Sequence, residues 1–453
     1  MMRIKFEMAA VSPNPAMQDL KLTFQQSTLV FPAQQTDDHK TLFLSNIDQS
    51  LNFNVQILYF FSPNPDFPPD TVVTRLKLAI EKVLVPYDFI AGRLKWNHHS
   101  ARLDLHCNAA GAGFIAASSA FSLDEIGDLV CPNPGFRQLA VQTLNNLEDE
   151  DQPLCVFQVT SFKCGGFAIG VSLNHVLLDG LAGKMFLENL ASQAFEDKPL
   201  DVIPCHDRRL LAARSPPLIS FPHPELLKPQ FPVLGRPVSG SKQELEFKVF
   251  QISLSDVNFL KAMAVKQAAA NNAAAVKITS FNVLAALIWR CRALSLCDVE
   301  GNKDRVFTMC YAVDLRSRLN PALPPEYCGN AILPAYASAK CRDIEKWPLS
   351  KLVEMISEGI ERMSDEYVKS AIDWLEINKG IPYGDCILTS WLRLGLNEVV
   401  FPWGKSLYCC HVVNNLERLC WMFPHVDGVN ILIQRPAEEM ERFQFHLHNL
   451  IDA

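Results

Sequence analysis

No apolar run in the 453-residue chain reaches the roughly 18 residues that a membrane helix needs, so no membrane span is expected. Positive charge is not in excess: 42 Lys and Arg stand against 49 Asp and Glu, for a net charge of -7. Affinity for nucleic acid comes mainly from Lys and Arg neutralising phosphates, so a nucleic-acid partner is not expected either. The first eleven residues, Met1 to Val11, mix both charge signs and lack the apolar stretch of a secretory signal. The 14 cysteines include no C-x-x-C and no framework spacing. They read as reduced core residues, and the compartment as the cytoplasm. Whole reaction classes are missing their motifs. Without a G-x-S-x-G elbow a serine hydrolase is not expected, and without H-E-x-x-H or a Cys/His cluster neither is a metal site. No Walker-type loop is present. Gly111 and Gly113 are not followed by the helix that a phosphate fingerprint requires.

What remains is a chain with 49% hydrophobic and 20% charged residues, suited to a large core and, by length, about two to four domains. Nine of its 29 prolines fall between Pro199 and Pro237. Such a segment forms neither a long helix nor a central strand, and its length marks a linker or a functional crossover. The expected organisation is a domain over 1–198, a proline-rich crossover over 199–237, and a domain over 238–453. Strand patterns (Asn52–Phe61, Leu154–Val159, Phe167–Leu173, Glu244–Leu254, Phe307–Val313, Ile387–Leu394) mix with helical ones in no regular alternation. That predicts two α+β layered domains.

Phe167–Gly183 concentrates the chemistry. Phe167, Ile169, Val171 and Leu173 alternate as a strand should, the strand ends at Asn174-His175, and Asp179-Gly180 opens a helical pattern. Histidine is the side chain suited to moving protons near pH 7. A His-x-x-x-Asp spacing alone also describes a histidine before an aspartate-capped helix. The strand-to-helix junction favours function, and Gly180 and Gly183 leave room for another segment to approach.

Asn174–Gly180 (N-H-V-L-L-D-G) resembles the H-x-x-x-D-G signature of the plant BAHD acyltransferases, and further stretches resemble that family in the same order along the chain. They are Ala91–Leu94, Thr279–Arg292, the V-D-L-R-S-R run and P-P-E-Y-C-G-N within Val313–Asn330, and Thr389-Ser390-Trp391. The resemblance implies two chloramphenicol-acetyltransferase-like domains with a central channel between them. It also implies a monomer of plant specialised metabolism that moves an acyl group from acyl-CoA to the hydroxyl or amine of a small hydrophobic acceptor. Acyl-CoA would be a co-substrate, with no cofactor permanently bound, and the reaction would pass through a ternary complex. His175 is the implied general base, with Thr389 and Trp391 as donors to the oxyanion. Asp179 would be a structural brace paired with Arg290 or Arg292. Lys277, Thr279 and Ser280, at a helix start, are the expected seat of the CoA phosphates.

The chain departs from the family at its second signature, D-F-G-W-G-K-P, where it reads Val400-Phe401-Pro402-Trp403-Gly404-Lys405-Ser406. Trp403 and Gly404 are retained as structural residues. The family aspartate is thought to pair with an arginine of the V-D-x-R-x-R run. Its loss would leave Arg316 or Arg318 to find another partner, with Glu398 the nearest acid, and Pro402 should place the segment at an edge or a bend. The stretch before Thr389, Leu375–Leu388, has no arginine to grip an acceptor carboxylate, and it carries Glu376 and Asp385. Shikimate and quinate are therefore expected to be poor acceptors. The altered signature also admits a second reading, a non-catalytic BAHD-like partner of another lipid-modifying enzyme.

Overall fold

A computed structural model describes residues 19–36, 40–130, 133–196, 198–228, 245–270, 277–412 and 418–451. The crossover beyond Lys228 lies outside these.

Two six-stranded sheets organise the chain. The first runs Leu22–Val30, Ala112–Ser119, Cys155–Ser161, Phe167–Asn174, Asn54–Phe61, Tyr408–His411. The second runs Glu246–Ser253, Gly428–Arg435, Leu419–His425, Cys386–Ser390, Val306–Asp314, Ile332–Lys340. Each contains both parallel and antiparallel pairs, as an irregular order of strands and helices requires. The first six residues of Phe167–Asn174 are buried on both faces. Its large residues face the helices Pro69–Val83 and Gly180–Ala194 across one core, and its small ones face a satellite cluster around Phe60 and Leu139. Gly170 belongs to the small set because a Cβ there would collide with the Leu139 carbonyl. The alternation in this strand is therefore one of size rather than polarity.

Four features differ from the sequence expectation. Tyr408–His411 belongs to the first sheet, pairing antiparallel with Ile57–Phe60, although it lies in the second half of the chain. It covers a strand edge that would otherwise stay open, so the first sheet takes a strand from beyond the expected division at 238. Ile332–Lys340 is a nine-residue strand that the sequence pattern did not disclose. Its alanines give a weak apolar signal, and Pro334 is tolerated because the strand is the outermost of its sheet. Cys297 and Cys341 form a disulfide, where reduced thiols were expected throughout. The helix Ser280–Glu300 is long and apolar enough to match a membrane span, yet 83% of its apolar window is buried. It packs as the central helix of the second core, against Val257, Leu260, Val353 and Phe443.

The described part of the crossover is more than a connector. It forms a short turn at Arg208–Leu211, a single bridge from Cys205 to Tyr327, and a two-residue strand, Leu226–Leu227, paired with Ile381–Pro382. Along it, Arg208 is fully buried, Arg214 pairs with Asp373 and Glu366, and His223 bonds to Glu225 and to Ser370.

Candidate active site

His175 follows the last residue of a core strand. Its backbone N–H donates to the Phe53 carbonyl at 2.7 Å, which fixes the chain where it leaves the sheet. Val176, Leu177 and Leu178 are then buried as a hydrophobic clasp, and Asn174 closes the turn by accepting from the Val176 N–H. The imidazole is half-buried, its ring 5.2 Å from that of Phe53, with Nδ1 3.0 Å from Asn330 Oδ1. Burial holds its pKa below the usual histidine range, opposed by the Asp179 charge. The ring is neutral at pH 7 and can accept a proton.

Asp179 turns away from this ring. One oxygen caps the helix Gly180–Ala194 by accepting from the Ala182 N–H at 2.9 Å. The carboxylate also takes both terminal nitrogens of Arg316 at 2.9 and 3.0 Å, and the Ala331 N–H at 2.9 Å. Arg316 is thus its partner, not Arg290 or Arg292. Those two are engaged within the second half of the chain. Arg290 donates to the Ile344 and Trp347 carbonyls, and Arg292 to Glu439 at 3.1 Å. Spacing along a helix could not separate these candidates, because the pair that forms joins residues 137 positions apart.

Arg316 also meets Asp314 at 2.7 Å, and Arg318 donates to the carbonyls of Ile360 and Met363. Neither arginine uses Glu398, so valine at 400 leaves no orphaned cation. Val400 is exposed. Val400–Phe401 and Gly404–Lys405 form a small hairpin with Pro402-Trp403 as its turn, the bend that proline implied. Gly404 has φ +112°, a conformation that favours glycine. Trp403 stacks on Phe401 at 4.9 Å and packs edge-on to Phe61 and Phe167 of the first sheet.

Thr389 and Ser390 end the strand Cys386–Ser390, and Trp391 follows with its backbone N–H on the Met422 carbonyl at 2.8 Å. Trp391 is buried at the junction of the two halves, edge-on to Phe423 at 5.1 Å and to His411 at 5.8 Å. Leu394, in the same turn, occupies the space beside Gly180, where a Cβ would come within 2.7 Å of it. Gly180 therefore does admit a second segment, whereas Gly183 faces open space. A cavity between the halves is lined by Phe136, Val249, Tyr408, His411, Phe423 and Asn430, among others. Its lining includes Phe423 and His411, which pack on Trp391, but neither Trp391 nor His175.

Thr279 caps the helix Ser280–Glu300. Its hydroxyl accepts from the Asn282 N–H at 3.1 Å and donates to Asn282 Oδ1 at 2.7 Å. Lys277 is exposed just before it.

Three residues at the site escaped sequence reasoning: Asp48, Arg208 and Asn330. Asp48 and Arg208 are buried completely and pair at 2.9 Å. Arg208 also donates to the Val176 and Leu177 carbonyls, directly after His175. Asn330 donates to Asp48 and to the His175 and Val176 carbonyls. Asn330 had a visible signal in its P-P-E-Y-C-G-N run, but the other two had none.

Burial also depresses His206, and His411 to about 4. Each such group binds protons more weakly folded than unfolded, so stability is lost as pH falls below about 6.5. His411 alone should cost about 2 kcal/mol at pH 5 relative to pH 7. Urea midpoints at the two pH values check this, and His411→Phe should flatten the difference.

Two mixed sheets joined by a crossover, with a histidine at the rim of one and a T-S-W turn at the rim of the other, define a chloramphenicol-acetyltransferase-like fold. The chain belongs to the BAHD acyltransferases, matching the family described as the Transferase family over residues 20–450. It is 49% identical to Acyltransferase GLAUCE of Arabidopsis thaliana over 440 residues, covering 96% of this chain and 97% of that one. It is 32% identical to a shikimate O-hydroxycinnamoyltransferase of Nicotiana tabacum, covering 95% and 100%. It is 30% identical to an omega-hydroxypalmitate O-feruloyl transferase of Arabidopsis thaliana, covering 94% and 92%. Among solved structures, vinorine synthase shares the fold with a TM-score of 0.75 at 22% identity, over 95% of this chain and 98% of that one.

Proposed function

We propose that this protein transfers an acyl group from acyl-CoA to a hydroxyl or amine of a hydrophobic small molecule, with His175 as general base. The observation that carries this reading is His175 itself: a neutral, half-buried imidazole on a braced turn, where Asp179 is committed to Arg316 and does not compete for the ring. In the ternary complex His175 removes the acceptor proton as the acceptor oxygen or nitrogen attacks the thioester carbonyl. The carbonyl oxygen takes up charge, and the Thr389 hydroxyl and the Trp391 indole N–H are the donors proposed to meet it. Fixed donors at a developing oxyanion contribute on the order of 3 kcal/mol each. Collapse expels the CoA thiolate, and no acyl-enzyme forms. Coenzyme A is bound in solved structures of the same fold, TRI101 among them. With Thr279 occupied by Asn282, Lys277 and Ser280 are the groups of that helix start left to meet the CoA phosphates.

The acids before Thr389 do not make an anionic pocket. Glu376 pairs with Arg102 at 2.6 Å and with Lys379, and Asp385 pairs with Arg305 at 2.7 Å. Arg418 lies over the Tyr383 ring, but it is exposed. The stretch thus offers neither a free acid for a cationic amine nor a buried arginine for a carboxylate, which favours a neutral acceptor. Relatives of similar identity are named for shikimate and for omega-hydroxypalmitate, so the choice is testable. With one acyl-CoA donor, a long-chain primary alcohol should turn over at least ten times faster than shikimate, and its double-reciprocal plots should intersect. Comparable turnover with shikimate would overturn the acceptor assignment, and parallel lines with a trapped acyl-enzyme would overturn the ternary complex.

The reading as a non-catalytic partner rested on Val400 and Pro402. The hairpin around them closes, Trp403 is packed and Arg316 keeps two carboxylates, so nothing at this place argues against turnover.

A further inference from the structure

Cys386 and Cys420 lie on neighbouring parallel strands of the second sheet, both buried and both free, with their sulfurs 3.6 Å apart. The side chains around them carry an unbalanced charge. Arg292 and Arg435 are almost wholly buried, and one carboxylate serves both. Glu439 Oε2 lies 3.1 Å from Arg292 Nη1 and 3.7 Å from Arg435 Nε. Arg435 Nε and Nη2 and Arg292 Nε are buried with no hydrogen-bond partner. Two guanidinium groups against one carboxylate leave positive charge over, and a buried charge without a counter-charge is costly. Both arginines act on the thiol pair, which supplies the missing charge when one of its protons leaves.

The hydrogen bond to Cys386, with Arg435 and Arg292 behind it, holds the Cys420 thiol down to about 7 against its burial, while Cys386 is held up. At neutral pH the pair includes a thiolate beside a thiol. Cys155 provides the contrast. It is buried with no cation acting on it, is pushed above the usual thiol range, and is an inert core residue. The position of the pair matters as well. Cys386 opens the strand that delivers Thr389, and Thr389 pairs in register with Trp421, the residue after Cys420. Both cysteines sit near strand starts, close in sequence to the exposed Tyr383 and Arg418.

We propose that Cys386 and Cys420 are a peroxide-oxidisable dithiol, and that closing them into a disulfide lowers acyl transfer through the strand that carries Thr389. The Cys420 thiolate attacks one oxygen of hydrogen peroxide, the O–O bond breaks and hydroxide leaves, giving a sulfenic acid. The Cys386 sulfur then forms the S–S bond as the S–O bond breaks, and its thiol proton leaves with the hydroxyl as water. Two electrons pass from the sulfurs to the peroxide. Peroxide is little larger than water and enters by local opening at the strand starts. To bond, the sulfurs must close from 3.6 Å to about 2.05 Å, which shifts the two strands and moves Thr389. The dithiol stands on this geometry alone, whereas its effect on rate rests on the acyltransferase reading.

The experiment treats the purified protein with hydrogen peroxide, maps its peptides without reduction by mass spectrometry, and follows CoA release. The expected result is a linked pair of peptides holding Cys386 and Cys420, with kcat lowered by about tenfold or more and restored by dithiothreitol. Cys386→Ala, which cannot close the bond, should keep its kcat under the same treatment, and an equal loss there would overturn the proposal. If that variant does not fold, the wild-type map and rate still decide. No linked pair at a peroxide dose that oxidises the exposed Cys164 would overturn the proposal, as would linkage that leaves kcat unchanged. Absence of acyl transfer before treatment would contradict the acyltransferase reading, while a linked pair in that protein would still support the dithiol.

Discussion

Glutamine in place of His175 should lower kcat/KM for acyl transfer by about 10²–10⁴-fold, the range that a positioned general base supplies. The loss should fall on kcat, because an alcohol is a poor nucleophile until its proton leaves and no neighbouring group is placed to substitute. Asp179 cannot, since its oxygens are held by Arg316, Ala182 and Ala331. The fold should survive, because the turn is anchored by the backbone bond from His175 to Phe53 and by the buried Val176–Leu178, none of which needs the imidazole. Far-UV circular dichroism and the urea midpoint report the fold, and release of free CoA reports the reaction. A variant that keeps the wild-type rate would mean that His175 is not the base.

The second large effect concerns stability. Arg208→Met should destabilise the protein by about 3–5 kcal/mol, the usual consequence of leaving one member of a buried ion pair alone. Asp48 would keep its Ser45 and Asn330 donors but lose the guanidinium, and the Leu177 and Cys328 carbonyls would lose the same donor, while the Val176 carbonyl would keep Asn330 alone. Asp48→Asn together with Arg208→Met should cost clearly less than the two single changes summed, because the doubly altered site holds no uncompensated charge. Urea unfolding of the four proteins measures this. A loss below about 1 kcal/mol for Arg208→Met would show that water or a rearranged neighbour replaces the guanidinium.

Local chemistry was legible in the sequence where the signal is local. The strand that delivers His175, the aspartate-capped helix after it and the bend at Pro402 all follow from patterns a few residues long, whereas the strand expected to run to Leu394 stops at Ser390. Partners far apart in sequence were not. Arg316 and Asp179 are separated by 137 positions, Arg208 and Asp48 by 160, and Asn330 and Asp48 by 282. No periodicity couples such residues, and only tertiary packing selects Arg316 over Arg290 and Arg292. Arg208 was further concealed by its setting. A proline-rich segment announces the absence of helix and strand, but says nothing about which of its side chains is buried. Sheet exchange is hidden for the same reason, since Tyr408–His411 carries a strand pattern but no mark of the sheet it joins.

The most direct test of the account is release of free CoA by the purified protein, measured with product mass across a panel of acyl-CoA donors and neutral alcohol acceptors. The account predicts acceptor-dependent release with at least one pair, an ester of matching mass, and loss of both in His175→Gln. No acceptor-dependent release with any pair, together with a His175→Gln protein that retains full function in cells, would contradict it.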